Sequence, residues 1–138
     1  MSESPIDFSR HPLVAPAEAG DSGVSVRWLR AQNGCLYGKE FYDDARNTRC
    51  RARLLAGVNL LQSQGRIANP EHGHWLKGKT YGCLFEFKTF GFRFYAFQVQ
   101  RVYLITNGAK KESSEGRQNR HRNVALTLRC EFYDAENQ

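Results

Sequence analysis

Residues 87–97, FKTFGFRFYAF, constrain this chain more than any other stretch. Five of the eleven residues are Phe and one is Tyr, a density of rings that only a core can absorb. Phe90-Gly91 interrupts the run near its middle, and glycine supplies the positive φ of a tight turn. The stretch therefore predicts a hairpin. With its neighbours it gives three β-rich runs, at 82–89, 92–100 and 102–106, best joined as an antiparallel meander. Asn107-Gly108 is expected to close the meander. The polar basic run KKESSEGRQNRHR is expected to form a loop, and NVALTLRCEFY a last helix or strand.

Alternation assigns the faces, because successive strand residues point to opposite sides. Cys83, Phe85 and Phe87 share one side with Phe92, Phe94 and Ala96 of the next strand. A helical pattern over 39–64, in one bent helix or two, puts Leu54, Val58 and Leu61 on a stripe to cover them, and Gly65 ends it. Arg46, Arg49 and Arg53 fall on another face, expected to be solvated, with an RNA or partner contact as the alternative. Upstream, VSVRWL at 24–29 predicts a first strand. Residues 1–23, with Pro5, Pro12 and Pro16 and no apolar period, predict a flexible or loosely docked leader before a domain at 24–138.

The other side of the hairpin carries Leu84, Glu86 and Lys88, then Arg93, Tyr95, Phe97 and Val99. Cations on a partly apolar floor are less screened than cations on an open surface, and aromatics beside them suit a single RNA strand. A cross-strand ion pair with no further role is the competing reading. Net charge is +6, and residues 1–23 carry Arg10 against Glu3, Asp7, Glu18 and Asp21, so the excess lies in the domain and favours a polyanionic partner.

Other classes of chemistry find little footing. Cys35, Cys50, Cys83 and Cys130 are scattered without a Cys-x-x-Cys pair, and His72-Gly-His74 lacks a third ligand, so no metal or other cofactor is expected. The N-terminal residues carry no secretion signal and no apolar run reaches 18 residues, which predicts a soluble, cytoplasmic protein without membrane contact.

The order of residues from 76 to 113 resembles the RelE/HigB family of bacterial toxins, in particular its phage-derived HigB-like branch. The resemblance rests on Leu76 and Gly78, then Phe85-Glu86-Phe87-Lys88, then Arg93-Phe94-Tyr95, then Gly108-Ala109-Lys110-Lys111. Ala109 stands where the family usually has an aromatic, and Glu112-Ser113 follows the lysines in place of Thr-Pro. It implies an α+β fold: helices on one side of a twisted, mainly antiparallel sheet, the other side functional. It further implies the toxin of a type II toxin–antitoxin pair, a metal-independent endoribonuclease (mRNA interferase) that cuts mRNA on the ribosome. Its partner would be a cognate antitoxin, often a helix-turn-helix protein.

Arg93 matches the family's catalytic arginine, a guanidinium fit for phosphorane charge. Lys88 is a second phosphate contact, and Glu86 either a general base or the group that orients Arg93. His74, just before Leu-x-Gly, is a proton-transfer candidate. Lys77, Tyr95, Lys110 and Lys111 complete the expected RNA contacts, Tyr95 by stacking on a base. A non-catalytic nucleic-acid- or protein-binding module, or a ParE-like gyrase inhibitor, are the alternatives on the same fold.

Overall fold

The computed structural model describes residues 6–15, 22–44, 46 and 48–137. In chain order it contains β1 (Ser25–Trp28), α1 (Tyr37–Asp44), α2 (Thr48–Gln64), β2 (Gly73–Trp75), β3 (Phe85–Thr89), β4 (Phe92–Val99), β5 (Val102–Lys110) and α3 (Glu115–Glu136). The sheet runs β1-β5-β4-β3-β2. Only β1–β5 is parallel among these pairings, so the fold is α+β with a mostly antiparallel sheet.

The hairpin forms where the aromatic run places it. Thr89 pairs with Phe92 around Phe90-Gly91, and Gly91 sits at φ 80. Most of the first face packs as its alternation predicts: Phe85, Phe87, Phe94 and Ala96 are buried with Leu54 and Leu61 of α2, and Val58 packs against them, whereas Cys83 precedes the strand, which starts at Phe85, and packs with the opposite core. Burying each of these Phe and Leu side chains contributes roughly 1.5–3 kcal/mol. Gly65, at φ 80, ends α2 by donating its N–H to Leu61 O.

Three expectations are corrected. First, Asn107-Gly108 does not close the meander; β5 runs through it to Lys110. Gly108 serves close packing, since a Cβ there would lie 2.6 Å from the Phe41 ring. Second, the polar run after it is not a loop beyond Ser114. Ser114 caps α3 by accepting from Arg117 N–H at 3.2 Å, and the helix continues for 22 residues. Third, helices cover both faces of the sheet. Ala125, Leu128 and Phe132 of α3 bury Leu84, Tyr95, Phe97 and Leu104 on the side expected to be open.

Part of the leader packs against the domain. Phe8, Leu13 and Val14 belong to the same core as α3. His11 stacks on Phe132 at 4.4 Å and meets the Glu136 carboxylate at 3.1 Å, while Val14 bridges Leu29. The remaining leader positions, 1–5 and 16–21, lie outside the described residues. No helix among the described residues is long and apolar enough to cross a membrane.

Candidate RNA-binding site

The second core ends before the hairpin does. Helix α3 begins at Glu115, so its first turn overhangs the far end of β3 and β4 and leaves a cleft of about 320 Å³ there. Five segments supply its walls. β3 gives Glu86 and Lys88, β4 gives Arg93, and the edge strand β2 gives His74, paired directly with Glu86. Lys111 enters just past β5, and Ser114, Gln118 and Arg122 come from the start of α3.

Glu86 is the hub. It is buried at 4 % exposure, and a carboxylate there must be paired. One oxygen accepts from His74 Nε2 at 3.0 Å and the other lies 3.5 Å from Arg93 Nε. Arg93 Nη1 donates to the carbonyls of Phe92 at 2.8 Å and Thr89 at 3.2 Å, so the guanidinium is fixed from two directions. His74 Nδ1 lies 3.1 Å from Trp75 O. Both ring nitrogens thus face oxygen acceptors, and both contacts are hydrogen bonds only when both nitrogens carry hydrogen.

Behind Gln118, which lines the cleft, lies the buried Tyr95. Its hydroxyl accepts from the Gln118 side-chain amide, whose carbonyl oxygen accepts from Glu112 N–H at 3.0 Å. Burial, and then the nearby Glu86 charge, push the Tyr95 phenol up to about 12. It remains a neutral, structural hydroxyl at physiological pH.

Charge accounting decides what the cleft can hold. Its three acids are already answered: Glu86 by His74 and Arg93, Glu112 by His121 at 3.1 Å, and Glu115 by Arg122 at 2.8 Å. Lys88 and Lys111 have no acidic partner among the described residues. The cleft therefore keeps two unanswered ammonium groups beside an oriented guanidinium and the N-terminus of a long helix, a combination suited to an anionic ligand. No group of three or more His, Cys, Asp or Glu side chains able to hold a metal ion occurs among the described residues.

The structure thus brings Arg93, Glu86, Lys88, His74 and Lys111 together. It leaves Lys77 and Lys110 outside the cleft lining, both exposed. Tyr95 is corrected outright: it has 0 % exposure beneath α3, so its ring cannot stack on a base. The α3 contributions, Ser114, Gln118 and Arg122, were missed because their segment read as a loop. The available signal was Ser114 followed by Glu115, a cap residue and a first-turn acid. Arg49 and Arg53 are not simply solvated either; both stack over Phe90, at 4.5 and 5.4 Å.

No protein-family model matches the chain, and no curated protein matches it.

Proposed function

We propose that the chain is a metal-independent endoribonuclease of the RelE/HigB kind, the toxin of a type II toxin–antitoxin pair that cuts mRNA on the ribosome in the cytoplasm. Its partner on this reading is an antitoxin, a helix-turn-helix protein in the form the resemblance suggests. The observation that carries it is the convergence of Arg93, Lys88, Lys111 and the His74–Glu86 pair on one cleft. Cleavage of an RNA linkage deprotonates the 2′-hydroxyl, stabilises phosphorane charge and protonates the departing 5′-oxygen. Arg93, Lys88 and Lys111 supply the positive charge for the second step. His74, which lines the cleft beside Glu86, is the proton-transfer group, taking the 2′-hydroxyl proton in the first step and giving one to the departing oxygen in the third. Glu86 has both oxygens engaged and fits the orienting role better than that of a base.

A second reading, a non-catalytic nucleic-acid-binding module, is favoured by one observation: every carboxylate lining the cleft is already paired. One experiment separates them. Induced expression in bacteria is followed by growth and by primer-extension mapping on translating ribosomes. Growth arrest with codon-linked cuts, both lost in a folded Arg93→Ala variant, supports the nuclease. Protection without cuts supports the binder, and unchanged cutting by Arg93→Ala rejects the assigned site.

A further inference from the structure

Next to the cleft, on the other side of Lys88 and Arg93, lies a second hollow of about 250 Å³. The two share Lys88 and Arg93 as a common wall, and the second is completed by Arg53, Glu71 and the hairpin turn Thr89–Phe90–Gly91. At the tip of that turn Phe90 is 46 % exposed, a large ring that the core does not use. Two guanidiniums from consecutive turns of α2 lie over it, Arg49 at 4.5 Å and Arg53 at 5.4 Å from the ring centre.

The turn is held on both sides. Cys50 Sγ donates to Phe90 O at 3.0 Å, and Lys111 N–H donates to Gly91 O at 2.8 Å. Lys111 also lines the main cleft, so one residue fastens the exposed ring to the phosphate-holding groups. An exposed single apolar side chain is ordinary on a protein surface. An exposed ring on a pinned turn, backed by two arginines and continuous with unpaired lysines, has the make-up of a base-stacking platform on a cationic track.

We propose that Phe90, with Arg49 and Arg53, forms a nucleobase subsite for a nucleotide flanking the linkage held at Lys88 and Arg93. The proposal rests on the reading of the main cleft as an RNA site. The ring takes the base by stacking, which every base permits. The arginines add charge for the adjoining phosphate, so the subsite selects single-stranded over paired RNA rather than one sequence.

The test uses the full chain and an uncleavable single-stranded 2′-O-methyl RNA, with one abasic residue moved along the strand and affinity read by fluorescence anisotropy. At one position, loss of the base weakens binding about 5- to 100-fold. Phe90→Leu abolishes that positional penalty and Phe90→Tyr keeps it. A flat profile in the unsubstituted protein, or a Phe90→Leu profile that still shows the penalty, overturns the proposal. So does a Phe90→Leu variant altered only in its unfolding midpoint, which makes the ring a latch between α2 and the turn. If RNA binds and Lys88→Gln weakens it while the Phe90 result is negative, the subsite alone fails. If no RNA binds, the reading of the main cleft fails and takes the subsite with it.

Discussion

Lys88 and Arg93 stand directly opposite each other on β3 and β4. Like charges at directly paired positions destabilise a sheet, by roughly 0.2–1 kcal/mol. Glu86 answers Arg93 at 3.5 Å, whereas Lys88 has no acidic partner among the described residues. On the proposed RNA-binding reading, Lys88 is kept at that cost for a ligand. Lys88→Gln is therefore expected to raise stability by about 0.5 kcal/mol in urea denaturation. The same change weakens RNA binding and lowers the slope of log affinity against log salt by about 0.7, one phosphate contact on a single strand. A stability loss with unchanged RNA affinity would make Lys88 a structural residue.

Arg93 and Glu86 predict a different pattern, because removing one partner strands the other. Arg93→Ala leaves a buried carboxylate with only His74 beside it, at a cost of about 3 kcal/mol. Adding Glu86→Gln to Arg93→Ala removes the stranded charge and recovers a large part of that stability. On the nuclease reading cleavage does not return with it, since the guanidinium proposed to meet the phosphorane is still missing; the expected deficit is about 100- to 1,000-fold. Unfolding midpoints and cleavage rates measured on both variants separate the two effects. Recovery of cleavage in the double variant would make Arg93 a scaffold for Glu86 and nothing more.

The parts of the fold governed by short-range rules were legible in the sequence. Alternation placed Phe85, Phe87, Phe94 and Ala96 against Leu54 and Leu61, and Phe90-Gly91 marked the turn. What escaped depends on distant partners. Helix α3 has a polar first half because that part overhangs the cleft, so residues 115–124 lack the apolar period by which helices are recognised. Gly108 reads locally as a turn, but its missing Cβ makes room for Phe41 and Phe94. Tyr95 illustrates both at once: strand alternation gave its side of the sheet correctly, and only the unrecognised helix made that side interior. The candidate cleft was legible as far as β3 and β4 supply it, and illegible where α3 does.

The leader offers a test of packing that local composition does not suggest. Phe8 is 8 % exposed and stacks on Phe132 at 6.4 Å, within the core that also holds Phe97. Phe8→Ala is expected to cost about 3 kcal/mol, the usual loss for a buried ring. Equilibrium urea unfolding measures it, with unchanged RNA affinity as the companion result, because Phe8 does not line the cleft. A change below about 0.5 kcal/mol, the range of ordinary surface positions, would mean that residues 6–15 are not held against α3 in solution.

Tyr95 predicts how the protein responds to alkali. Burial first, and the Glu86 charge second, push its phenol up to about 12, whereas an unfolded chain loses that proton near the ordinary value of about 10. Below pH 10 both states keep the proton and the difference contributes nothing. Between pH 10 and about 12 the unfolded chain releases it while the native chain holds it. The native state then binds more protons, so unfolding free energy falls as pH rises, by on the order of 2 kcal/mol across the window. Urea unfolding at stepped pH should show that fall. Burial also pushes up the Tyr103 phenol, which adds to it. Tyr95→Phe should leave the parts due to Tyr103 and to the Cys50 thiol, which burial also pushes up. At neutral pH it should cost about 1–3 kcal/mol, because the Gln118 amide loses its hydroxyl acceptor. If Tyr95→Phe leaves the alkaline slope unaltered, the phenol reaches solvent in the native state. Tyr95 would then again be available to a ligand.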